Sequence, residues 1–540
     1  MHYNERLARR ADRSALFLYA TALYAVAAVL SGCGGGSSDS ALAVREKTLA
    51  QACAEYRPST LPHGAKFTKT ELRAANGFLP ETCAVRGVIV SSAASTINWV
   101  IDLPDPSKWN GKTLTIGGSG FDGFIPSDSQ WHHWLVGESA TPYVKISSDS
   151  GHQIEGFYPW GLDEAAIRNH AFDANHFSLE IGTQVAKEFY GKAPTRRYMM
   201  GQSNGGRQGL ISAQRYPADY DGIVSMEPAM SQQGHQVNMG DLMKWIFASK
   251  DNWLSPAKTE LFAAAEIAAC DALDGVKDGI ISNVAACSYI PSDLLCQGAD
   301  NDTCLTAGQV ETIRRIYSDH KVQVTLANGV TGYPRFGRSG AASSDWKSYL
   351  FGSSFDSPGF NYIAPLEAAK VVENNPDVDL MSHDPTLFAA QYLKLSNMID
   401  GNNPDIKAFA DKGGKLLLWY GMADSCVSVY RAADWFKEVT SVVGEAKTRN
   451  FARFLTSPGV SHELDGPGAG SADLLAALDA WVERGEAPNA LVASKYEAAQ
   501  SVTAKRGAPV LQRPLCEYPK FPRYTSGDPA KASSFVCSET

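Results

Sequence analysis

Short apolar runs alternate with amphipathic stretches along most of the chain. Two longer stretches, residues 175–190 and 472–484, repeat apolar residues every three or four positions, which is typical of helices. Shorter runs are apolar enough to form buried strands, at residues 88–90, 113–116, 198–200, 222–224, 415–420 and 451–455. Strands that alternate with helices predict a mostly parallel sheet covered on both faces, which is an α/β fold.

The pattern changes between residues 230 and 403. Gly, Ser and Asn become frequent there, strand-like runs are scarce, and four cysteines fall in this segment. We interpret it as a domain inserted into the sheet domain, which it divides into a first part, residues 51–229, and a second part, residues 404–540.

The N-terminus predicts export. An Arg-rich start and an apolar run over residues 15–30 form the pattern of a signal peptide, residues 1–33. Residues 30–33, Leu-Ser-Gly-Cys, resemble a bacterial lipobox, in which Cys33 would be lipidated and residues 34–50 would be a flexible tether. The alternative is a plain signal peptide cleaved nearby, with Cys33 incidental. We expect a protein of the bacterial periplasm, an outer-membrane lipoprotein or an extracellular protein.

Composition narrows the class of protein. Of the 540 residues 44% are hydrophobic, which excludes a fully disordered or collagen-like chain. The net charge of -9 comes from 58 acidic and 49 basic residues and argues against nucleic acid as the main partner. Ten cysteines point to an oxidising compartment.

The first candidate for chemistry lies at residues 201–205, Gly-Gln-Ser-Asn-Gly. A strand-like run, residues 197–200, leads into them, and a helical stretch, residues 207–216, follows. This is the context of a nucleophile elbow, a tight turn that exposes its serine, here Ser203, at a helix N-terminus. The alternative is a phosphate-binding or structural glycine turn, but no Lys follows as a P-loop requires.

A serine nucleophile needs a histidine base and an acid that orients it, in the chain order Ser, acid, His. Asp424 follows the apolar run 415–420 in a Gly-flanked loop, a position that Asp411 and Asp434 lack. His462 is the only histidine after Asp424. The sequence therefore predicts Ser203 as nucleophile, His462 as base and Asp424 as the orienting acid, although Asp424 taken alone could be a helix cap.

Two backbone N–H groups should bind the oxyanion that forms during acyl transfer. One belongs to Asn204, directly after the predicted nucleophile. The other should come from an early Gly-rich loop at a strand end, and residues 117–120, Gly-Gly-Ser-Gly, fit unless they form an ordinary loop.

Three motifs resemble the tannase and feruloyl esterase family, which includes the mono(hydroxyethyl) terephthalate hydrolases. They are Gly-Gln-Ser-Asn-Gly-Gly-Arg-Gln-Gly at residues 201–209, Gln-Arg-Tyr-Pro at 214–217 and Asp-Gly-Ile-Val at 221–224. Residues 109–111, 117–120, 270–275, 458–459, 462 and 480–488 match as well. The resemblance spans almost the whole mature chain, from about Cys53 to Cys537.

The resemblance implies an α/β-hydrolase core with a large inserted lid domain, residues 230–403. It implies a serine esterase that hydrolyses feruloyl, galloyl or similar small aromatic esters through an acyl-enzyme. By motif position, the N–H groups of Gly120 and Asn204 would form the oxyanion hole.

The resemblance also implies a structural calcium ion in the lid and no organic cofactor. The ion would bind at the Asp-rich loop, residues 271–280, where three carboxylates on a short Gly-containing loop suit a hard cation. Its ligands would be the side chains of Asp271, Asp274 and Asp278 and the carbonyl groups of Val276 and Ile280. The alternative is an Asp-rich solvated turn.

Eight cysteines match family disulfides, which implies four pairs: Cys53–Cys83, Cys270–Cys287, Cys296–Cys304 and Cys516–Cys537. Most members have a further disulfide between the residue before the serine and the residue after the histidine. Gln202 and Glu463 occupy those positions here. We hypothesise that the Gln202 amide hydrogen-bonds to the Glu463 carboxylate instead, and that Cys426 is a free, buried thiol.

An aromatic cluster of the lid contains candidate substrate contacts, although such residues are more often lid core: Trp346, Tyr349 and Phe351, with Phe355 and Phe360 nearby. The terephthalate hydrolases hold the free carboxylate of their substrate with a lid Arg, and residues 339–370 contain no Arg. We therefore favour a phenolic or other small aromatic ester as the partner and keep terephthalate monoesters as the alternative.

Two other classes of function stay open. A serine peptidase could use the same triad on this scaffold, and a non-catalytic lipoprotein binding module could share the fold. Membrane contact is expected only through the N-terminal anchor.

Overall fold

The computed structural model of the protein describes residues 47–154, 156–338, 343–497, 502 and 506–539. The predicted signal peptide with Cys33 and most of the predicted tether lie outside the described residues. Within these ranges, no helix is both long and apolar enough to cross a membrane.

The strands of the described chain form one large sheet and three two-stranded sheets. In chain order the strands are β1 (Lys66–Arg73), β2 (Thr82–Val90), β3 (Thr96–Pro104), β4 (Lys112–Ile116), β5 (Val144–Ser148), β6 (Arg196–Gln202), β7 (Gly222–Met226), β8 (His320–Lys321), β9 (Gly332–Tyr333), β10 (Lys415–Gly421), β11 (Ala452–Ser457), β12 (Val492–Lys495), β13 (Leu511–Pro514), β14 (Cys516–Glu517), β15 (Phe521–Tyr524) and β16 (Phe535–Ser538).

The α-helices range from one turn to almost five turns in length. In chain order they are α1 (Leu49–Glu55), α2 (Gln130–Val136), α3 (Glu164–Arg168), α4 (Ala174–Tyr190), α5 (Asn204–Arg215), α6 (Gln232–Phe247), α7 (Pro256–Cys270), α8 (Ala307–Ile316), α9 (Ser343–Trp346), α10 (Phe360–Glu373), α11 (Ala389–Ile399), α12 (Lys407–Asp411), α13 (Val429–Val443), α14 (Glu445–Phe451) and α15 (Leu474–Arg484).

The large sheet contains ten described strands in the order β1-β2-β3-β5-β4-β6-β7-β10-β11-β14. Neighbours from β5 to β11 run parallel, and the pairs nearer the two edges run antiparallel. This mostly parallel centre confirms the predicted α/β class. The strands β1, β3 and β5 were absent from the prediction because polar residues such as Asn98, Asp102 and Lys145 interrupt their apolar pattern.

The central strands are apolar on both faces because helices cover both. Along β10, Leu416 and Leu418 join the apolar cluster that includes side chains of α4 and α13, whereas Leu417 and Trp419 join the cluster that includes α15. Successive side chains of a strand point to opposite faces, so a run of apolar residues fills both cores. Burial of each Leu side chain contributes roughly 1.5–3 kcal/mol to the free energy of folding.

The segment between β7 and β10 forms most of a second apolar cluster. Residues 227–414 add no described strand to the large sheet. Side chains of α6, α7, α8, α10 and α11 pack instead into this cluster, which contains Trp346 and Phe351 and also Phe157, Ile167 and Ile211 from the chain before β7. The inserted domain with bounds at residues 230 and 403 stays a prediction.

The four disulfides implied by the resemblance all form in the structure. Cys53–Cys83 links α1 to β2, and Cys516–Cys537 joins β14 to β16 near the C-terminus. Cys270–Cys287 and Cys296–Cys304 lie in the inserted segment. Cys426 is free and buried, as expected.

Candidate active site

Ser203 lies in a strained turn between β6 and α5. Its φ of 57° and ψ of -119° are unfavourable for a residue with a side chain. The turn is held by the Ser203 N–H, which donates to the Met226 carbonyl over 2.9 Å. A Cβ added at Gly201 would lie 2.6 Å from the carbonyl carbon of Gly205, so only glycine permits this close approach. The geometry is that of a nucleophile elbow.

Asp424 and His462 lie in the loops that follow β10 and β11. His462 Nδ1 and Asp424 Oδ2 are 2.8 Å apart, and Asp424 is fully buried. The N–H groups of Cys426 and Val427 donate to Asp424 Oδ1 over 2.8 and 2.9 Å. These bonds fix the carboxylate so that its other oxygen faces the imidazole. The parallel strands β6, β7, β10 and β11 end at one edge of the sheet, the elbow edge, and their following loops carry all three predicted triad residues.

The environment of His462 favours its charged form. Burial acts to lower the pKa of His462, but the negative charge of Asp424 and its hydrogen bond outweigh burial and raise the pKa well above its ordinary value. An imidazole in this position is a strong base, and its imidazolium form is stabilised by the adjacent carboxylate.

The Gly-rich loop after β4 packs against the elbow. The Gly205 N–H donates to the Gly118 carbonyl over 3.0 Å, and the Gly117 N–H donates to the Met200 carbonyl over 3.0 Å. Gly120 has a φ of 56°. Within the described part of the chain, the N–H groups of Gly120 and Asn204 donate to no other group. Two amides near a serine elbow are therefore available to a ligand oxygen.

Polar side chains of α5 support this loop from behind. The Gly118 N–H donates to Gln208 Oε1 over 3.1 Å, and Gln208 Nε2 donates to Asp122 Oδ2 over 2.7 Å. Arg207, fully buried, donates to Asn204 Oδ1 from Nε over 2.8 Å and to the Ile399 carbonyl over 2.7 Å. The predicted oxyanion amides thus rest on a buried hydrogen-bond network.

A second carboxyl group, which was not predicted from the sequence, lies at the elbow edge. Glu227 directly follows β7, is fully buried, and has Oε2 3.7 Å from His462 Nδ1. Burial and the charge of Asp424 raise the pKa of Glu227 well above its ordinary value. A charged residue directly after a buried parallel strand was the available signal, because ligand sites gather at the carboxyl ends of such strands.

The hypothesis of a Gln202–Glu463 contact needs correction. Gln202 Nε2 donates to Glu227 Oε2 over 2.7 Å and also to the carbonyl of His462. The Glu463 carboxylate instead accepts a hydrogen bond from the Tyr349 hydroxyl. Gln202 lies at the buried end of β6, and its amide hydrogen-bonds to the groups that are buried beside it, Glu227 and the carbonyl of His462.

The inserted segment contacts the acid loop through a third buried carboxyl group, Asp345. Its Oδ2 accepts from the Ser425 N–H over 2.7 Å and from the Ser425 hydroxyl over 2.6 Å. Burial, and then the charge of Asp424, raise the pKa of Asp345 to about 8. No motif pointed to Asp345, because its partner lies 80 positions later in the chain.

The three predicted substrate contacts have different surroundings. The Tyr349 ring lies edge-on to the His462 ring, with centroids 5.2 Å apart, and 6.3 Å from the Phe360 ring. Trp346 and Phe351 differ from the expectation, because they pack in the apolar core of the inserted segment, where Trp346 stacks on Phe262 at 5.2 Å. Among these three described residues, Tyr349 is the one whose ring lies against the predicted base.

The Asp-rich loop carries three carboxylates, and the charges of Asp271 and Asp278 act on Asp274. Asp271 accepts hydrogen bonds from the N–H groups of residues 278–280 over 3.1–3.2 Å, and Asp278 pairs with Arg513. Asp274 Oδ2 is buried and has no partner in the described residues. Burial, aided by the charges of Asp278 and Asp271 and opposed by hydrogen bonds, raises the pKa of Asp274 to about 6. A buried carboxylate oxygen without a donor, beside other carboxylates, fits a hard cation.

The sheet order, the serine elbow and the Asp–His pair at the carboxyl ends of the strands are features of α/β-hydrolases. The sequence profile of tannase and feruloyl esterase matches residues 83–538. The chain therefore belongs to the tannase and feruloyl esterase family, as the motifs indicated, and so to the carboxylic ester hydrolases.

Relatives cover most of the chain. A probable feruloyl esterase of Arthroderma benhamiae is 30% identical over 463 residues, 81% of this chain and 82% of that protein. A mono(2-hydroxyethyl) terephthalate hydrolase of Piscinibacter sakaiensis is 29% identical over 531 residues, 85% of each protein. An esterase from Aspergillus oryzae, known from its crystal structure, has a TM-score of 0.78 at 23% identity, over 91% of this chain and 100% of that chain. The last likeness confirms the predicted hydrolase fold.

Proposed function

We propose that this protein is a serine esterase that hydrolyses esters of small aromatic acids through an acyl-enzyme. The observation that carries the proposal is the buried Asp424–His462 hydrogen bond at the same sheet edge as the strained Ser203 elbow. The membership of the family and the names of the relatives support aromatic acyl groups.

In the acylation step, Ser203 Oγ attacks the ester carbonyl while His462 Nε2 accepts the hydroxyl proton. Asp424 holds Nδ1 and stabilises the imidazolium. The N–H groups of Gly120 and Asn204 would bind the oxyanion, and a donor of this kind typically contributes about 3–4 kcal/mol. His462 then returns the proton to the departing alcohol, which leaves the aromatic acyl group on Ser203. Water, deprotonated by His462, completes the cycle and releases the acid.

The surroundings of His462 favour an uncharged, phenolic acyl group. Tyr349 provides an aromatic face beside His462, and its hydroxyl is bonded to the Glu463 carboxylate. A substrate with a second carboxylate would need a cation to hold it, and residues 339–370 contain no Arg, whereas a phenol needs no cation. Feruloyl and galloyl esters therefore fit the site better than terephthalate monoesters. The second candidate rests on the likeness to the terephthalate hydrolase over 85% of the chain.

The test compares wild type with Ser203→Ala on p-nitrophenyl esters and on three substrates: methyl ferulate, methyl gallate and mono(2-hydroxyethyl) terephthalate. We expect Ser203→Ala to lose at least about 10³-fold in kcat, because the nucleophile is gone. Equal rates in both proteins would overturn the proposal. Cleavage of peptides but not esters would favour a peptidase, and a preference for the terephthalate ester would favour the second candidate.

We also propose that Asp271, Asp274 and Asp278, with the carbonyl groups of Val276 and Ile280, hold a structural calcium ion. The ion would neutralise the three carboxylates, with Asp278 shared between it and Arg513. Chelation should lower the melting temperature and added calcium should restore it, with magnesium as the control. An unchanged melting temperature in Asp274→Asn, with and without calcium, would contradict the site.

We further propose export, since several disulfides are typical of proteins that fold in an oxidising compartment. Lipidation of Cys33 is the finer proposal. Labelling with a radioactive fatty acid should mark the wild type and not Cys33→Ser, and equal labelling of both would contradict the anchor.

A further inference from the structure

We propose that Glu227 is a positioning residue whose carboxyl group, together with Gln202, forms a non-covalent cross-link among the three loops that carry Ser203, Asp424 and His462. The inference rests on the proposed serine esterase function. The pair includes Gln202, which occupies one of the two positions at which the family resemblance implies a disulfide.

The main chain around Glu227 is bonded to both neighbouring strands. The Glu227 N–H donates to the Trp419 carbonyl of β10 over 2.8 Å. One residue earlier, the Met226 carbonyl accepts from Ser203, and the Ala229 N–H donates to the Ser203 carbonyl over 3.1 Å. The segment after β7 therefore lies between the elbow and the acid strand and is in register with each.

The side chain of Glu227 extends these links. Its Oε1 accepts from the Gly421 N–H, at the end of β10, over 3.0 Å, and its Oε2 accepts from Gln202 over 2.7 Å. Gln202 precedes Ser203 and also donates to the carbonyl of His462. One carboxyl group and one amide thus connect the nucleophile, acid and base loops without a covalent bond.

The backbone of Glu227 is strained where it positions the carboxyl group. Glu227 has a φ of 41°, a left-handed conformation that is strained for a residue with a side chain. Gly421 leaves room for it, because a Cβ there would lie 2.8 Å from Glu227 Oε1 and 2.3 Å from the Val460 carbonyl oxygen. Strain of this kind persists where the surrounding structure holds the residue in place, and such residues cluster at functional sites.

The charge of the pair is compatible with a cross-link. Glu227, Asp424 and His462 each offer an atom within 4.8 Å of the others. Asp345, Cys426 and Tyr420 also face this cluster. Burial and the charge of Asp424 raise the pKa of Glu227, which favours its neutral form and so limits the negative charge next to the base.

The test is a double-mutant cycle of Gln202→Leu and Glu227→Leu, measured on the best ester of the panel. We expect each single variant to lose roughly 10- to 100-fold in kcat, because a small misplacement of reacting groups has that effect. KM should stay within about twofold, since substrate contacts are intact. The double variant should lose little more than either single one, because both remove the same link.

Two further variants keep the test informative if Glu227→Leu folds poorly. Glu227→Gln keeps the volume and an acceptor and should lose less than Glu227→Leu. Glu266→Gln is the matched control, because Glu266 is equally buried but bonds to Arg338 and Tyr317 in the lid. It should leave kcat unchanged at a temperature where the protein is folded.

Rescue by a covalent bond distinguishes cross-linking from other roles. Gln202→Cys with Glu463→Cys, combined with Glu227→Leu, restores the disulfide positions of the family. The oxidised triple variant should recover most of the lost kcat, whereas Gln202→Ser with Glu463→Ser in the same background should not. Wild-type kcat in both leucine variants, additive losses, or no rescue by a formed disulfide would overturn the inference. An active Ser203→Ala would instead overturn the proposed function.

Discussion

The Asp-rich loop and the elbow edge are held together by different means. The Asp-rich loop follows Cys270, whose disulfide to Cys287 closes a short stretch of chain, and Asp278 is tied to Arg513 near the C-terminal disulfide. At the elbow edge, hydrogen bonds from Gln202 to Glu227 and from the Cys426 N–H to Asp424 provide the links. The difference predicts that stability depends on covalent links in the inserted segment, whereas activity depends on proton transfer and hydrogen bonds at the elbow edge.

The strongest test of this contrast is Asp424→Asn. The amide keeps the shape of the side chain but cannot stabilise the imidazolium, and it favours the wrong tautomer of His462. We expect kcat to fall about 10⁴-fold. The free energy of unfolding, measured with urea, should change far less than kcat. A kcat within tenfold of wild type would contradict the assignment of Asp424 to the triad.

The opposite region is tested by Cys270→Ser with Cys287→Ser. The two cysteines are 17 positions apart, and closing a loop of about this size contributes about 3 kcal/mol to the free energy of unfolding. Urea unfolding should reveal the loss, while kcat of the folded fraction should equal that of wild type. A fall in kcat at full folding would show that the lid disulfide positions the site.

The pH dependence of activity should show a smaller effect, which arises at the elbow edge from His462. His462 must be neutral to accept a proton, and its pKa is raised, so kcat/KM should fall about tenfold per pH unit below a midpoint that lies above about 6.5. The same group stabilises the fold fully below its unfolded pKa, and this contribution is lost as pH rises through the folded pKa. Activity should rise where that stabilisation declines, and a midpoint below the ordinary value would contradict the assignment.

The smallest effect concerns Cys426. Burial raises the pKa of this thiol to about 12, so it stays protonated at neutral pH although it lies beside His462. Iodoacetamide should label it only after unfolding and should leave native activity unchanged. Rapid labelling of the native protein, detected by mass spectrometry, would contradict this environment.

The elements that could be predicted from the sequence are those with strong local signals. The runs that became β6, β10 and β11 were apolar on both faces, and the elbow combined a strand, two glycines and a helix. β3 and β5 were not predicted because buried polar residues such as Asp102 and Lys145 break the apolar pattern, and the partner of Asp102, Arg73, lies in β1.

The part of the site that escaped prediction depends on contacts between distant segments. Glu227 reads locally as a turn residue before a proline, and its role becomes visible only once Gln202 and Gly421 are known to lie against it. Gln202 and Glu463 are neighbours of the predicted nucleophile and base in the sequence. Gln202 is more deeply buried and bonds to Glu227, whereas Glu463 bonds to Tyr349. Sequence order could identify candidate reacting residues but not the groups that hold them.

The bond between Asp345 and Ser425 has a consequence for protein engineering. Asp345 belongs to the inserted segment and Ser425 to the sheet domain. An exchange of the inserted segment between relatives therefore replaces Asp345 but keeps Ser425. A chimera that receives a foreign residue at position 345 while keeping Ser425 would leave a buried donor unmatched beside the triad. The unit of exchange for altering specificity is therefore the lid together with position 425.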